Sequence, residues 1–399
     1  MATAAPTPRF THPAARGTCP FAPPPPYRQA QQEEPVSRIS LWDGAPSWLV
    51  TRHEDIKAVL SDPRFSSDST RPGFPFISAG ARYLNTGQPT FIRMDDPEHA
   101  RLRRMLTGEF MIKRVEALRP GIQRIADDLL DRMTDSRAEA DLVRAFALPL
   151  PSLVICLLLG VPYQDHEFFQ ECSRVLLRRD SAAEDVAAAQ RRLVDYLADL
   201  TETKRTQPDD GILSRLVERG ELNTAEIGAM GRLLLVAGHE TTANMTALSV
   251  LALLRNPGQL DHLRRHPEAV TGAVEELLRY LTIVHSGLTR VATEDVDLAG
   301  VRIRAGEGVV CMISTANRDE GEFPDGDRLD LTRDARRHLA FGFGVHQCLG
   351  QPLARLELQI ALNTLLRRLP ELRLAVPFEQ VRFRGDMLIY GVHELPIAW

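Results

Sequence analysis

Apolar residues recur every three or four positions over much of the chain, which is the period of one face of an α-helix. Five long segments show this spacing: residues 115–133, 185–204, 224–255, 267–281 and 351–369. Thr224 follows Asn223, a residue type that commonly caps helices, so we expect a helix to begin there. The pattern therefore predicts a chain built mainly from long helices.

Short stretches of strand-forming residues flank these helices. Residues 38–41 and 47–51 lie on either side of Asp43-Gly44, a turn dipeptide, and are predicted to form a hairpin. Residues 296–303 and 308–314 are predicted to form a second pair. Because strands do not alternate with helices, a doubly wound fold is not expected. We predict a mainly α fold, with residues 28–399 forming one α-rich domain with small β-sheets and residues 1–27 forming a Pro-rich N-terminal segment.

Composition narrows the class of protein. The 399 residues carry a formal net charge of −5, so no bulk basic field indicates nucleic-acid binding. The apolar stretch 145–161 is interrupted by Pro149 and Pro151, and we find neither a membrane anchor nor a signal peptide. We expect a cytoplasmic protein with no membrane contact. The five cysteines are widely spaced and odd in number, so neither disulfides nor a zinc site is predicted.

Residues 341–350 combine a cysteine with three glycines and read Phe-Gly-Phe-Gly-Val-His-Gln-Cys-Leu-Gly. The glycines at 342, 344 and 350 are expected to permit tight turns and the close approach of a flat ligand. A helix starting near Cys348 would place its positive end at the sulfur and favour a thiolate. Phe341 would exclude water. On these residues alone, the alternative is a turn that carries a buried, inert cysteine.

Residues 237–242 read Ala-Gly-His-Glu-Thr-Thr within the apolar helix 224–255. A glycine, an acid and two threonines are unfavourable inside a buried helix, and such a conflict is expected at a functional site. We expect Gly238 to permit a local widening of the helix at which a ligand contacts the backbone. The alternative is a solvated helical turn. His239 and His285 are expected to have non-ligand roles, because neither has a partner at metal-ligand spacing.

Two charged pairs lie at helical spacing, Glu276 with Arg279 and His99 with Arg103. Either pair alone would more often belong to a solvated surface. Together with the segments above they resemble the cytochrome P450 family, specifically its soluble bacterial members. Residues 341–350 match Phe-x-x-Gly-x-x-x-Cys-x-Gly, residues 237–242 match Ala-Gly-x-Glu-Thr-Thr, and Glu276 to Arg279 match Glu-x-x-Arg. The motifs follow the family's order, and the resemblance covers residues 19–399.

This resemblance implies a cytochrome P450-like fold with haem b buried between two long helices and Cys348 as the iron ligand. Thr241 would hydrogen-bond dioxygen and Glu240 would relay protons. Glu276 and Arg279, with Arg328 as the third partner, would lock the core. The haem propionates would contact His99, Arg103, Arg290 and His346, with His338 a weaker candidate. Further haem contacts are implied for Phe341, Gly350 and Ala237.

The implied reaction is the insertion of one oxygen atom from O₂ into a bulky apolar small molecule, by hydroxylation or epoxidation, in secondary-metabolite tailoring or xenobiotic oxidation. The implied substrate-facing residues are Phe74, Phe76, Val236, Ile283, Leu288 and Ile389. One departure from the family occurs at residues 281–283, Leu-Thr-Ile, where many relatives carry a proline. This departure blurs the substrate inference and leaves the haem prediction unchanged.

Electrons are expected from a ferredoxin with an NAD(P)H-dependent ferredoxin reductase, because the sequence contains neither a dinucleotide fingerprint nor a cysteine cluster for iron and sulfur. The expected docking face is basic and includes Arg101, Arg104, Lys113 and Arg114. A non-catalytic haem-thiolate sensor or carrier, and a peroxygenase on the same scaffold, are the alternatives. The presence of both Glu240 and Thr241 favours activation of O₂.

Overall fold

The fold is known from a computed structural model that describes residues 8–86, 90–135 and 137–399. Helices dominate these residues. They are α1 Pro25–Glu33, α2 His53–Ser61, α3 Ala79–Thr86, α4 Glu98–Thr107, α5 Ile112–Glu116, α6 Arg119–Thr134, α7 Pro149–Leu159, α8 His166–Leu177, α9 Ala183–Thr206, α10 Ile212–Arg219, α11 Thr224–Leu254, α12 Pro257–Arg265, α13 Val270–Leu281, α14 Ile313–Ala316 and α15 Gln351–Arg368.

The strands form three small sheets. They are β1 Thr11–His12, β2 Val36–Leu41, β3 Pro46–Val50, β4 Phe65–Ser66, β5 Glu139–Asp141, β6 Leu288–Ala292, β7 Val296–Leu298, β8 Val301–Ile303, β9 Gly308–Cys311, β10 Arg373–Leu374 and β11 Pro396–Ala398. The largest sheet has the order β1-β2-β3-β9-β6-β4, while β10-β11-β5 and β7-β8 form the other two.

Helix α11 is the central element of the helical part. Its N-terminus has a capping box, in which Asn223 Oδ1 accepts from Glu226 N at 2.9 Å and Glu226 Oε2 accepts from Asn223 N at 2.9 Å. Most of its residues are buried, and it packs against α7, α9 and α15. A helix that is apolar nearly all round has to lie inside the protein. The helix predicted to begin at Thr224 is confirmed.

The other predicted elements are mostly confirmed, with two corrections. The predicted helix 115–133 is two helices, α5 and α6, with Pro120 in the first turn of α6. The predicted second strand pair is wrong. Residues 296–303 fold on themselves as β7 and β8 through Ala299 and Gly300, which both have positive φ, and β9 joins the largest sheet beside β6.

Segments from both ends of the chain pack onto this framework. Strand β1 pairs with β2, and Phe21 is buried in the main core, so part of the Pro-rich segment contributes to packing. The division at residue 27 stays a prediction. Across the described ranges, every helix is too short or too polar to cross a membrane. The mainly α fold with small sheets is confirmed.

Candidate functional site

The segment that carries Cys348 is a tight loop that leads into α15. Gly342 and Gly344 have φ values of +70° and +73°, which side-chain-bearing residues rarely adopt. A Cβ at Gly344 would also lie 2.3 Å from a carbonyl oxygen of α2. Cys348 N donates to Phe341 O at 2.9 Å and closes the loop. The predicted role of glycine in turning the backbone is confirmed at these two positions. Gly350 has a φ of −80°, which any residue can adopt.

Cys348 is accessible to water, although protein atoms surround its sulfur. The N–H groups of Gly350 and Gln351, at the start of α15, hydrogen-bond to it, and Arg103 and Arg355 supply positive charge nearby. Burial raises the pKa of the Cys348 thiol, and these donors and charges act in the opposite direction. A Cβ at Gly350 would project into open space, so a planar group has room to approach.

A basic cluster lies beside this loop. The rings of His99 and His346 are 4.0 Å apart between centroids, and Arg103 Nη2 donates to Gln347 O at 2.6 Å. Asp96 Oδ1 lies 3.0 Å from His99 Nδ1 and fixes the orientation of that ring. Among the described residues, His99 Nε2 and His346 Nδ1 are buried without a hydrogen-bond partner. The structure thus brings His99, Arg103 and His346 together and leaves polar atoms available to a ligand.

Two arginines extend the cluster from the sheet side. Arg290, on β6, is 5% exposed and donates to Thr289 O at 2.8 Å, while Arg93 Nη1 donates to Thr289 Oγ1 at 3.1 Å. In the described part of the chain, neither arginine has a carboxylate within 4.0 Å. Burial and the charge of Arg290 lower the pKa of Arg93 to about 10 and that of His346 to about 3. Such a concentration of uncompensated positive charge favours an anionic ligand. Nothing in the sequence distinguishes Arg93 from other arginines.

A second set of charges is fully buried and structural. Glu276 and Arg279 are 0% exposed and form a two-pronged ion pair, with Nε to Oε2 at 2.7 Å and Nη2 to Oε1 at 2.8 Å. Arg279 also donates to the carbonyl oxygens of Asn317, Gly326 and Arg328 at 2.6, 2.7 and 3.1 Å. The guanidinium group therefore ties α13 to the chain that precedes the cysteine loop.

The prediction that the side chain of Arg328 completes this set is wrong. That side chain is 67% exposed and pairs with Asp330, and only the backbone carbonyl of Arg328 reaches Arg279. The third side chain is Arg333, whose Nε lies 3.4 Å from Glu276 Oε1. Leu329 and Leu331 alternate into the core around Asp330, whose N–H donates to Glu276 at 2.9 Å. The chain then turns back at Arg333, a tertiary feature that spacing alone does not reveal.

His338 belongs to a separate ion-pair group rather than to the basic cluster. Its Nε2 lies 3.2 Å from Glu275 Oε2, and Arg355 pairs with the same carboxylate at 2.6 Å. The Arg355 guanidinium lies 4.6 Å from the centroid of the Phe341 ring. This group holds the cysteine loop against α13 and α15, so His338 acts on the site through packing.

The helical motif of residues 237–242 lies inside α11, which stays α-helical throughout. The predicted widening at Gly238 is therefore wrong. A Cβ there would lie 2.9 Å from Ile155 Cγ1, so the glycine instead allows α7 to approach α11 closely. Thr241 Oγ1 donates to Ala237 O at 2.6 Å, and its side chain is partly accessible. His239 is buried, with Nδ1 2.6 Å from Leu235 O. No cluster of potential metal ligands occurs in the described residues.

Glu240 is 4% exposed and carries a charge partner that the sequence did not indicate. Its Oε2 accepts from Arg384 Nη1 at 3.0 Å and from Asn244 Nδ2 at 3.2 Å. Within the described part of the chain, the side chains of Glu240 and Thr241 form no hydrogen bond with each other. The two predicted catalytic residues are thus neighbours on α11, with Glu240 directed toward the C-terminal part of the chain.

The predicted substrate-facing residues lie in three parts of the structure. Ile283 O accepts from Tyr390 N at 2.9 Å, which places Ile283 next to Ile389, and a Cβ at Gly342 would lie 3.4 Å from Leu288 Cδ1. Phe74 and Phe76 instead border a cavity of about 680 Å³ at the edge of the largest sheet. Their ring centroids are 5.1 Å apart. Val236 lies on α11, one residue before Ala237.

A sequence model of the family described as cytochrome P450 matches residues 27–374. The chain is 68% identical over 396 residues to cytochrome P450-SU2 of Streptomyces griseolus, covering 99% of this chain and 98% of that one. It is 51% identical over 386 residues to pentalenic acid synthase of Streptomyces avermitilis, covering 96% of both. The crystal structure of GfsF superposes with a TM-score of 0.91 at 49% identity, covering 98% of this chain and all of that one.

Proposed function

The chain belongs to the cytochrome P450 family, and from that premise we propose which residues hold its haem and serve its reaction. It is a haem-thiolate monooxygenase, an enzyme that inserts one atom of O₂ into an organic substrate. The comparisons give no support to a non-catalytic sensor or carrier, or to a peroxygenase.

The residues present fit a haem b group. Its two propionates require charge-assisted partners, and the basic cluster offers Arg103 and Arg290 with the unpartnered atoms His99 Nε2 and His346 Nδ1. We propose these four residues as the propionate partners and add Arg93, whose Nε is also unpartnered. Phe341, Gly350 and Ala237 are proposed haem contacts, and the open space beside Gly350 supports this.

Cys348 is the proposed iron ligand. The N–H groups of Gly350 and Gln351 and the nearby Arg103 and Arg355 stabilise a negatively charged sulfur. When bound, haem with a thiolate ligand supplies the activation of O₂ and the cleavage of the O–O bond. The task of the protein around it is to position the substrate and to control protons.

Thr241 and Glu240 are the residues proposed to handle protons. Because Thr241 Oγ1 donates its own hydrogen to Ala237 O, the oxygen is oriented as an acceptor toward the accessible side of α11. Glu240 is a buried carboxylate one residue away that exchanges no hydrogen bond with Thr241 in the described structure. We propose that Glu240 brings protons to this part of the helix and that Thr241 holds them at its hydroxyl.

The proposed substrate is a bulky apolar small molecule of secondary metabolism. Val236, Ile283, Leu288 and Ile389 are all apolar and partly accessible, which suits such a ligand. Pentalenic acid synthase, a relative at 51% identity, is named for the product it makes and supports the assignment of substrate class. We keep Phe74 and Phe76 as proposed substrate contacts at the cavity by the sheet edge, where a molecule would pass on entry.

The proposed electron donor is a ferredoxin served by an NAD(P)H-dependent reductase. Arg104, Lys113 and Arg114 are exposed beside Met111 and Ile112, which are 60% and 71% exposed. Helix α5, which contains Lys113 and Arg114, packs against α15 behind the cysteine loop. We propose that this mixed basic and apolar surface binds an acidic protein. Arg101 contributes less, because two carboxylates, Glu98 and Glu226, pair with it, whereas Arg114 shares the single carboxylate of Glu109 with Arg215.

The haem-thiolate assignment of Cys348 carries this proposal and is tested by absorption spectroscopy of the reduced protein with carbon monoxide. We expect a strongly red-shifted Soret band, lost in Cys348→His and kept in Cys19→His, the same change at an exposed cysteine near the N-terminus. A red-shifted band in Cys348→His would assign the ligand elsewhere. Oxygen from ¹⁸O₂ in the product, with a surrogate ferredoxin, tests the reaction.

A further inference from the structure

The carboxylate of Glu240 is held by a segment far away in the chain. Residues 383 and 392 form an antiparallel bridge, and the intervening loop, here called the C-terminal loop and defined as residues 383–392, reaches α11. Arg384 N donates to Gly391 O at 2.8 Å, which fixes the base of this loop. The Arg384 side chain extends from it to Glu240, at a separation of 144 positions in sequence.

Three side chains close a triangle of polar contacts there. Arg384 Nη1 donates to Glu240 Oε2 at 3.0 Å and to Asn244 Oδ1 at 3.1 Å. Asn244 Nδ2 donates to Glu240 O at 2.6 Å and lies 3.2 Å from Glu240 Oε2. Asn244 is one helical turn beyond Glu240, so both face the loop. The carboxylate therefore has two donors on its side of α11, and one of them is charged.

The loop is docked on α11 by direct backbone contact. A Cβ at Gly391 would lie 1.7 Å from Asn244 Oδ1, so only glycine allows this approach. The side chain of Arg384 is 13% exposed and the side chain of Glu240 is 6% exposed. Arg384 Nε has no hydrogen-bond partner among the described residues. The guanidinium group thus spans the distance between the partly accessible loop and a buried acid.

We propose that Arg384 is a positioning residue for proton delivery, which pairs with the Glu240 carboxylate and holds it directed toward the C-terminal loop. The inference rests on the proposed function, because it assumes that Glu240 supplies protons. A buried carboxylate that loses its only cation takes up a proton at higher pH, so it no longer accepts one from solvent at neutral pH. Arg384 therefore keeps Glu240 able to accept a proton between turnovers.

Other ionisable groups near Glu240 have their own partners or are uncharged. His239 lies next to it, and burial lowers the pKa of that histidine, so its ring is neutral. On the loop side, Asp386 lies 3.4 Å from His393, and Tyr390 lies under Arg16. Buried Cys156 on α7, Cys172 on α8 and Glu357 on α15 have raised pKa values and are neutral at pH 7. Arg384 is accordingly the cation that compensates Glu240.

The first test measures the protonation of Glu240 directly. Infrared difference spectra between pH 6 and pH 9 should show a protonated carboxyl group titrating in Arg384→Met that is absent from the unmodified protein. The signal should disappear when Glu240→Gln is added and should be absent from Arg384→Lys, which keeps the charge. No new carboxyl signal in Arg384→Met would overturn the proposal. This reading does not depend on turnover, so it separates failure of the inference from failure of the proposed function.

The second test follows the oxidation of NADH with a surrogate ferredoxin and reductase across the same pH range. Arg384→Met should slow NADH oxidation about tenfold at neutral pH, move the acid limb of the profile to higher pH and raise the solvent deuterium isotope effect. Arg384→Lys should restore most of the rate. Arg382→Met is the matched control, because Arg382 is 70% exposed and pairs with Glu394. An unchanged profile in Arg384→Met would refute the positioning role.

A further variant tests whether the position of the Arg384 guanidinium group matters, and not only its presence. Gly391→Ala keeps the guanidinium group but forces the loop away from Asn244. If Arg384 acts by position, this variant should shift the pH profile in the same direction as Arg384→Met. Changed NMR chemical shifts of residues 383–392 would show that Gly391→Ala has displaced the loop. If the loop is displaced and the pH profile of NADH oxidation is unchanged, the proposal is wrong.

Discussion

Replacing Arg333 by Met should destabilise the protein more than the same change at Arg328. Arg333 lies 3.4 Å from Glu276 Oε1, a carboxylate with no exposure, and donates to Pro324 O and Asp325 O at 2.5 and 3.1 Å. Arg328 makes one side-chain ion pair, with Asp330, on an exposed surface. The two substitutions remove equal charge from the same segment, so they are matched controls for each other.

The magnitudes follow from what each change leaves behind. Removing one partner of a buried ion pair costs about 3–5 kcal/mol when the other charge is left alone. Glu276 keeps Arg279, so we expect a smaller loss of about 2–3 kcal/mol for Arg333→Met. An exposed pair such as Arg328 with Asp330 contributes below about 1 kcal/mol. Arg279→Met should cost about 5 kcal/mol or more, because three carbonyl oxygens lose a donor as well.

Thermal unfolding of the haem-loaded protein, followed by circular dichroism and by Soret absorbance, measures these losses. An unfolding entropy of about 2.1 cal/mol/K per residue gives about 0.8 kcal/mol per degree for a chain of this length. Arg333→Met should therefore lower Tm by about 3 °C and Arg328→Met by about 1 °C or less. A larger fall in Tm for Arg328→Met would show that the exposed Arg328 guanidinium, and not Arg333, stabilises the buried Glu276 carboxylate.

Three other predictions test the site and its surroundings. Thr241→Ala should raise the hydrogen peroxide released per NADH consumed, because the hydroxyl group that holds protons is gone. Thr241→Ser should restore the coupling of NADH oxidation to product formation, and tight coupling in the alanine variant would exclude the proposed role. Charge reversal at Lys113 and Arg114 should slow reduction by ferredoxin and weaken its dependence on salt in stopped-flow measurements, whereas reversal at the exposed Arg373 in β10 should change neither. Burial raises the pKa of Glu357 to about 8, above its ordinary value, so its contribution to stability is complete below about pH 4.5 and is lost as pH rises to 8. Glu357→Gln should therefore match the unmodified protein in urea unfolding at pH 4.5 and exceed it at pH 9; equal stability at pH 9 would mean that the buried carboxyl group has a partner when ionised.

Features that depend on neighbours in sequence were predictable. The start of α11 follows from Asn223 and Glu226, which satisfy each other's backbone N–H groups within four residues. The hairpin of β2 and β3 follows from the turn at Asp43-Gly44. The cysteine loop is similarly local, because its glycines at 342 and 344 and the start of α15 lie within ten residues.

Features that depend on distant parts of the chain were not predictable from the sequence. Strand β9 pairs with β3 and β6, so its partners were undefined until the sheet was assembled. The assignment to Arg328 failed because Arg333 reaches Glu276 only after the chain turns back. Arg384 lies 144 positions from Glu240, and Gly391, which allows that approach, resembles any loop glycine in the sequence.

The segment in which this chain departs from the family, residues 281–283, makes a further long-range contact. Thr282 ends α13 with a φ of +39°, a left-handed conformation that residues other than glycine rarely adopt. Asn317 Nδ2 donates to Thr282 Oγ1 at 2.8 Å, and Asn317 Oδ1 accepts from Leu339 N at 2.7 Å. Asn317 O accepts from Arg279 as well.

One asparagine therefore links the end of α13, the buried Arg279 and the chain nine residues before Cys348. The positive φ at Thr282 sets the direction in which residues 283–288 leave the helix, and these residues include the proposed substrate contacts Ile283 and Leu288. The cysteine loop is anchored through Leu339 on the other side of the same amide. Through Asn317, the backbone that leads into the substrate-facing stretch is therefore linked directly to the position of the cysteine loop.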